Sequence, residues 1–303
     1  MRYSESLNLA LHDAMEQNDL IYILGEDVCD PYGGAFKVTK GLSAKFPKRV
    51  INMPISEAAI VGVATGMAME GLLPIVEIMF GDFITLCMDQ IVNGATKFVE
   101  MFDMDIPLII RTPMGGYRGY GPTHSQSLET LFLNVPNLRI VAPSIYHDPG
   151  KSLAALIGTP TPVLFIEGKP SYPKQLMTHI DPLAKEGEPQ ITLITYGNLA
   201  SMCVEAAYMA FLEEELRVNT IIVEQISPIL LDFPTAGKVV IAEEGIGWAD
   251  KMAAALYADR FDSLTDPIRI VQALPRVIPC APKLEAGVLP SRQDIMGELY
   301  GFV

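Results

Sequence analysis

The 303-residue chain reads as an α/β protein built from two parallel-sheet domains. Three observations predict this. Short aliphatic and β-branched runs end at Gly, Thr or Pro and alternate with stretches of helical spacing, the pattern of strands buried on both faces of a parallel sheet. The length is twice the common domain size of roughly 150 residues. Half of the residues are hydrophobic and 19% are charged, enough apolar matter for a large core and too much for a disordered chain.

Leu7, Leu11 and Met15, with Ala10 and Ala14, recur at helical intervals, while Asp13, Glu16 and Gln17 fall on the other side; this predicts an amphipathic opening helix. Leu20 to Leu24 is then a buried strand stopped by Gly25. The same rhythm gives strands at Val50 to Met53, Pro74 to Phe80, Pro107 to Arg111 and Leu138 to Ala142. Ala58 to Met69 is apolar throughout but well short of the roughly 20 residues that cross a bilayer, and Glu70 and Glu77 follow, so it reads as a buried helix. Gly168 to Gln190 holds Pro170, Pro173, Pro182 and Pro189 without periodicity and is expected to connect the domains. Strands at Ile191 to Gly197, Asn219 to Gln225 and Lys238 to Glu244, with a helix from about Leu199 to Leu216, then predict a smaller second α/β unit.

Charge and cysteines exclude several classes. A net charge of −14 argues against a general nucleic-acid binder. Cys29, Cys87, Cys203 and Cys280 are widely scattered and form no CxxC pair, so neither a zinc cage nor a disulfide framework is written here. The first residues carry acids and no apolar signal core, which leads us to expect a cytoplasmic protein. GxGxxG, the P-loop, GxSxG and HExxH are all missing.

Ligands of open parallel sheets bind outside the carboxyl ends of the strands. Gly25-Glu26-Asp27, Ile55-Ser56-Glu57, Gly81-Asp82-Phe83 and the loop from Thr112 to Ser127 occupy such positions. Glu57 opens the apolar helix, with Ser56 as a candidate cap. An acid there can simply complement the helix dipole. It also borders a dry stretch that favours a carboxyl able to hold or share a proton, which is useful in acid/base chemistry. The loop TPMGGYRGYGPTHSQS places His124 among Thr123, Ser125 and Gln126, a polar setting that suits proton handling. His12, His147 and His179 read as solvated. Met79 and Phe83 suit either the core or a wall against an aromatic ring.

Taken together, GEDV, YGGxFKVT, PISE and the PxGGxRGxGPTHSQSLE loop, in this order and spacing, resemble the β subunit of thiamine-diphosphate-dependent 2-oxoacid dehydrogenase E1 components, whose members include pyruvate, branched-chain and acetoin enzymes. The resemblance runs from about Leu7 to Glu167 and thins toward the C-terminus. It implies a pyrimidine-binding domain over residues 1–175 and a transketolase C-terminal-like domain over 176–303. It also implies an α2β2 heterotetramer with thiamine diphosphate at the subunit interface. No GDG motif occurs here, so Mg2+ and the diphosphate are expected on the α subunit, and 303 residues are expected to hold half of a site. Glu57 matches the glutamate that hydrogen-bonds a ring nitrogen of the aminopyrimidine and favours its imino tautomer. Phe83 matches the aromatic packed on that ring, and Met79 lies on the same wall. His124 matches the histidine that orients or protonates substrate and assists acyl transfer to lipoyl-lysine. Gln90 and the loop tyrosines stand one layer back. Some relatives hold a monovalent cation near Leu156 to Thr161; Thr159 stands here in place of an acid, which leaves metal binding open.

This chain departs from the pattern at Glu224 to Asp232, at IGWADKMAAAL and at Val271 to Pro282, regions that in relatives support dimer contacts and docking of a lipoyl E2. Three readings therefore stand: transfer of an acyl unit from a 2-oxoacid to lipoamide, a free-standing acyloin-type synthase working without E2, and a non-catalytic structural subunit. The high apolar content predicts that part of the surface is subunit interface.

Overall fold

The computed structural model describes residues 1–178 and 188–302. Helix α1 (Tyr3–Gln17) buries Tyr3, Leu7, Leu11 and Met15, one residue per turn on one stripe. Its first turn is closed by the Arg2 amide, which donates to Glu5 Oε2 at 2.8 Å. There follow β1 (Ile21–Gly25), the short α2 (Leu42–Lys45), β2 (Val50–Asn52), α3 (Glu57–Met69) and β3 (Leu73–Glu77). A 3-10 turn over Gly81–Cys87 and a π-helical turn over Gln90–Ala95 lead into α4 (Thr96–Met101). Then come β4 (Ile109–Met114), β5 (Arg139–Val141), α5 (Pro149–Leu156) and β6 (Val163–Gly168). The second half contributes β7 (Ile191–Tyr196), α6 (Ala200–Glu214), β8 (Val218–Val223), β9 (Gln225–Ser227), β10 (Lys238–Ala242), α7 (Trp248–Arg260), β11 (Arg269–Val271), α8 (Pro282–Glu285) and α9 (Arg292–Tyr300).

The larger sheet has the order β2-β1-β3-β4-β6-β5-β9, and the smaller has the order β11-β10-β7-β8. Every pairing is parallel except β5 with β9. The α/β fold with mostly parallel sheets is therefore as expected. Each sheet reverses strand order beside its first strand, and the larger does so again where β6 inserts between β4 and β5. In the larger sheet the chain steps from β1 outward to β2 and returns to β3 on the other side. In the smaller it steps from β7 to β8 and returns to β10. Such switch points open a crevice at the carboxyl ends of the two flanking strands, where ligands of parallel sheets bind.

Four details correct the sequence reading. Strands β6, β9 and β11 were not anticipated; each is short or adjoins proline-rich sequence, which masks its period. Second, β9 comes from the second half of the chain yet pairs antiparallel with β5 of the larger sheet, so the sheets are stitched together. Third, the expected connection from Gly168 begins as structure: Lys169 and Ser171 are buried in a 3-10 turn and Tyr172 packs beneath it, while His179 and Pro182 lie outside the described residues. Fourth, α3 buries Ile60, Val61, Ala64, Thr65 and Ala68 but leaves Ala59, Gly62, Val63 and Gly66 exposed, so the helix is covered on one face only.

Candidate functional site

At the switch point of the larger sheet, Gly25 stands in register with Glu77, and the two flanking strands end side by side. Glu26 follows β1 and Glu57 opens α3; both carboxyls are buried. Burial raises the pKa of Glu26, and the nearby charges of Glu57 and Asp27 raise it further. Its Oε1 has no hydrogen-bond partner. Glu26 is thus the acid in this corner whose neutral form burial favours. The Cys87 thiol is pushed up to about 12 by burial and then by the charge of Glu57. Ser56 makes no capping hydrogen bond with its side chain, which corrects the expected role.

The turn over Gly81–Cys87 packs on α3 and carries Phe83. Phe83 and Phe80 both meet the His124 imidazole edge-on, with centroids 5.2 and 4.8 Å away. Met79, two residues past the end of β3, is half-buried. The structure thus unites Phe83 with His124 and sets Glu57 on the adjoining helix. Phe80, unassigned from the sequence, sits closer to His124 than Phe83 does. Tyr120 joins this cluster, 6.2 Å from Phe80. Tyr117 instead points to the second domain, donating to the Pro290 carbonyl at 2.9 Å, and Gln90 contacts its neighbour Asp89.

Beneath the loop lies a buried ionic cluster. Arg111 donates to Glu77 Oε2 and Glu167 Oε2 at 3.0 Å each, and its Nε makes a close ionic contact of 2.6 Å with Glu167 Oε1 that is not an aligned hydrogen bond. Tyr172 donates to Glu167 Oε2 at 2.7 Å and stacks on Phe36, 4.4 Å between centroids. Burial raises the Glu77 pKa against the pull of Arg111. Gly34, at φ +78°, lets its loop lie on Glu77, since a Cβ there would come 2.6 Å from Oε1. The signal for this cluster was present in the sequence: Glu77, Arg111 and Glu167 are charges inside apolar strands, where an unpaired charge is too costly to bury.

The glycine-rich loop reaches across to the second domain. Gly116 N donates to Glu244 Oε1 and Asn198 Nδ2 donates to Glu244 Oε2 at 2.9 Å, so the switch-point crevice of the smaller sheet is filled by a segment of the first domain. Glu129, just beyond the loop, is buried against Tyr196, whose hydroxyl donates to it at 2.5 Å. Burial pushes the Glu129 carboxyl up to about 7 despite that hydrogen bond. The departing segment at Val271 to Pro282 lies against the loop: Gly121 adjoins Cys280, and a cleft of about 590 Å3 is lined by Ser125, Gln126, Glu244, Ala273, Arg276 and Val277. Among the described residues no group of three or more His, Cys, Asp or Glu could hold a metal ion, and Thr159 donates to the Leu156 carbonyl at 2.9 Å. Nor, among them, is any helix long and apolar enough to cross a membrane.

Comparison with known proteins bears on the family and the fold. Residues 1–175 match the family model described as "Transketolase, pyrimidine binding domain". The chain is 32% identical to the pyruvate dehydrogenase E1 component subunit beta of Rickettsia bellii, covering 96% of this chain and 95% of that protein. It is 34% identical to the acetoin:2,6-dichlorophenolindophenol oxidoreductase subunit beta of Bacillus subtilis, covering 98% and 96% respectively. The 2-oxoisovalerate dehydrogenase subunit beta of Bacillus subtilis is 38% identical over 68% of this chain and 67% of its own length. In fold, the chain is similar to a solved chain titled a split-gene transketolase, inactive beta4 tetramer, with a TM-score of 0.74 at 18% identity over 99% of this chain and 97% of that one. The buried acids at the switch point and the matched sequence lead to one assignment: the chain belongs to the transketolase pyrimidine-binding-domain family, among the E1 β subunits of 2-oxoacid dehydrogenases.

Proposed function

We propose that this chain is the β half of a heterotetrameric thiamine-diphosphate-dependent enzyme that decarboxylates a 2-oxoacid and passes on the acyl unit, and that it does so in the cytoplasm. Residues 1–175 would bind the aminopyrimidine, and residues 176–303 would form the transketolase C-terminal-like domain. The single observation that carries the reading is the buried Glu26 and Glu57 pair at the switch point, with one Glu26 oxygen left without a partner. That chemistry fits an aminopyrimidine, which offers a ring nitrogen to a proton donor and an amino group to an acceptor. Thiamine diphosphate, its pyrimidine held by the Glu26 and Glu57 corner, would supply a carbanion equivalent and an electron sink for decarboxylation of the 2-oxoacid.

The remaining roles belong to this chain. Glu57 holds a proton at the ring nitrogen, Phe83 and Met79 wall the ring, and His124, fixed between two phenyl edges, orients or protonates the substrate. Mg2+ and the diphosphate would be held by an α subunit. The face left open on α3, together with Ile55 at 87% exposure beside Glu57, offers the surface for that partner. Acyl transfer to the lipoyl group of an E2 is the first reading of the acceptor. The departing segment beside the His124 loop supports a second, transfer to an aldehyde or ketone without lipoyl protein.

The test is to purify the chain with its α partner and assay pyruvate and 3-methyl-2-oxobutanoate, with thiamine diphosphate and Mg2+ present, against a lipoyl domain or an aldehyde. Decarboxylation only in the mixture supports the reading. Product with aldehyde alone selects the second acceptor, and no decarboxylation under any condition favours a structural subunit.

A further inference from the structure

Residues 124–126 are held from two sides by charges outside the loop. Lys169, fully buried in the turn after β6, donates from Nζ to the His124 carbonyl. Asp82, buried in the turn after β3, accepts at Oδ1 from both the backbone and the side-chain amide of Gln126, at 3.3 and 2.9 Å. The two clamps face each other, with Lys169 Nζ 4.0 Å from Asp82 Oδ2, an oxygen that has no hydrogen-bond partner. Phe80 lies beneath both, its ring centre 5.5 Å from Nζ and 4.8 Å from the His124 ring. A lysine is seldom buried unless a partner requires its charge. Here the cation grips a carbonyl on one side of Ser125 and the anion grips amides on the other.

We propose that Lys169 and Asp82 are positioning residues: as an ion pair they lock the His124 loop against β3 and β6 and so fix the imidazole where the substrate meets it. Neither touches the reacting atoms. The inference rests on the proposed role of His124 for its catalytic consequence, but the clamp itself does not. Burial lowers the Lys169 pKa to about 8, offset in part by Asp82, Glu244 and Glu285 and reinforced by Arg118. These are the charged groups that face it. Below pH 8 the ammonium is present and the clamp is closed; above it the attraction of Lys169 to Asp82 is lost.

The test uses the reconstituted αβ complex carrying K169M, K169R or D82N. By hydrogen exchange, the amides of residues 120–127 should exchange at least about ten-fold faster in K169M and D82N at pH 7, because each removes one side of the clamp. In wild type, kcat/KM for the 2-oxoacid should fall above about pH 8. K169R, whose charge persists, should push that limb to higher pH, and K169M should lose about ten-fold or more at pH 7. Unchanged exchange in both K169M and D82N would overturn the clamp. Faster exchange with an unmoved pH profile would overturn its link to His124. A wild-type complex without 2-oxoacid turnover would defeat the functional reading instead, while exchange still decides the clamp.

Discussion

Arg111 shows how one residue ties the folding of the larger domain to its site. It compensates two buried carboxylates, and through Glu77 it supports the loop that Gly34 allows to lie so close. Removing one member of a buried ionic cluster leaves uncompensated charge, which costs about 3 to 5 kcal/mol. We expect R111M to lower the urea midpoint by a corresponding amount at pH 7, and a midpoint within experimental error of wild type would contradict the account. Several of these residues were legible in the sequence and several were not. Glu57, Phe83 and His124 were visible because strand ends and motif spacing mark them. Glu26 lay in a flagged segment but drew no role, because only the fold shows that β1 and β3 end together. Phe80 and Lys169 were hidden for a related reason: a phenylalanine next to a strand and a lysine before a proline look like core and surface until the loop is laid over them.

At the scale of elements, α3 is the informative case. Its sequence read as a buried helix because every turn is apolar, yet burial of one face suffices for stability and the other carries small residues toward solvent. Composition alone does not distinguish the core of a chain from the core of an assembly. Gly66 is a clean probe, since a Cβ there meets nothing within 4 Å. Replacing a mid-helix glycine with alanine should stabilise the isolated chain by about 0.5 to 1 kcal/mol. If α3 packs closely on the α subunit, G66L should weaken assembly by ten-fold or more, measured by sedimentation of the mixed subunits, while the isolated chain keeps its stability. Equal assembly by G66L and wild type would place the partner elsewhere. The proline-rich stretch from Gly168 was misread in its first residues because two prolines concealed a tight turn that docks on the sheet.

At the scale of the molecule, the two sheets are joined by β9 and by the loop that fills the second switch point, so that switch point serves as the seam between the domains. The two-sheet plan was legible from the strand rhythm. The stitching was not, because β9 is three residues long and its paired residues lie 84 and 87 positions away in the chain, Val141 with Gln225 and Ile140 with Ser227. Glu129 at this seam makes stability depend on pH. Its carboxyl is raised from an ordinary value near 4.5 to about 7 in the folded protein, so the native state binds more protons than the unfolded chain between those values and loses stability as pH rises through that window. E129Q removes this contribution. Its stability relative to wild type should therefore rise between pH 5 and pH 7.5, by up to about 3 kcal/mol; a constant difference across that range would show that Glu129 is not proton-linked.

The central claim is that this chain supplies the acid that works on the pyrimidine ring, and it is tested most directly by one comparison. Decarboxylation of the preferred 2-oxoacid is measured for the chain paired with its α subunit, wild type against E57Q, at saturating thiamine diphosphate and Mg2+. We predict a fall in kcat of about 100-fold or more with the assembled complex intact, in line with the loss of a positioned acid/base group. Turnover of E57Q equal to wild type would contradict the assignment.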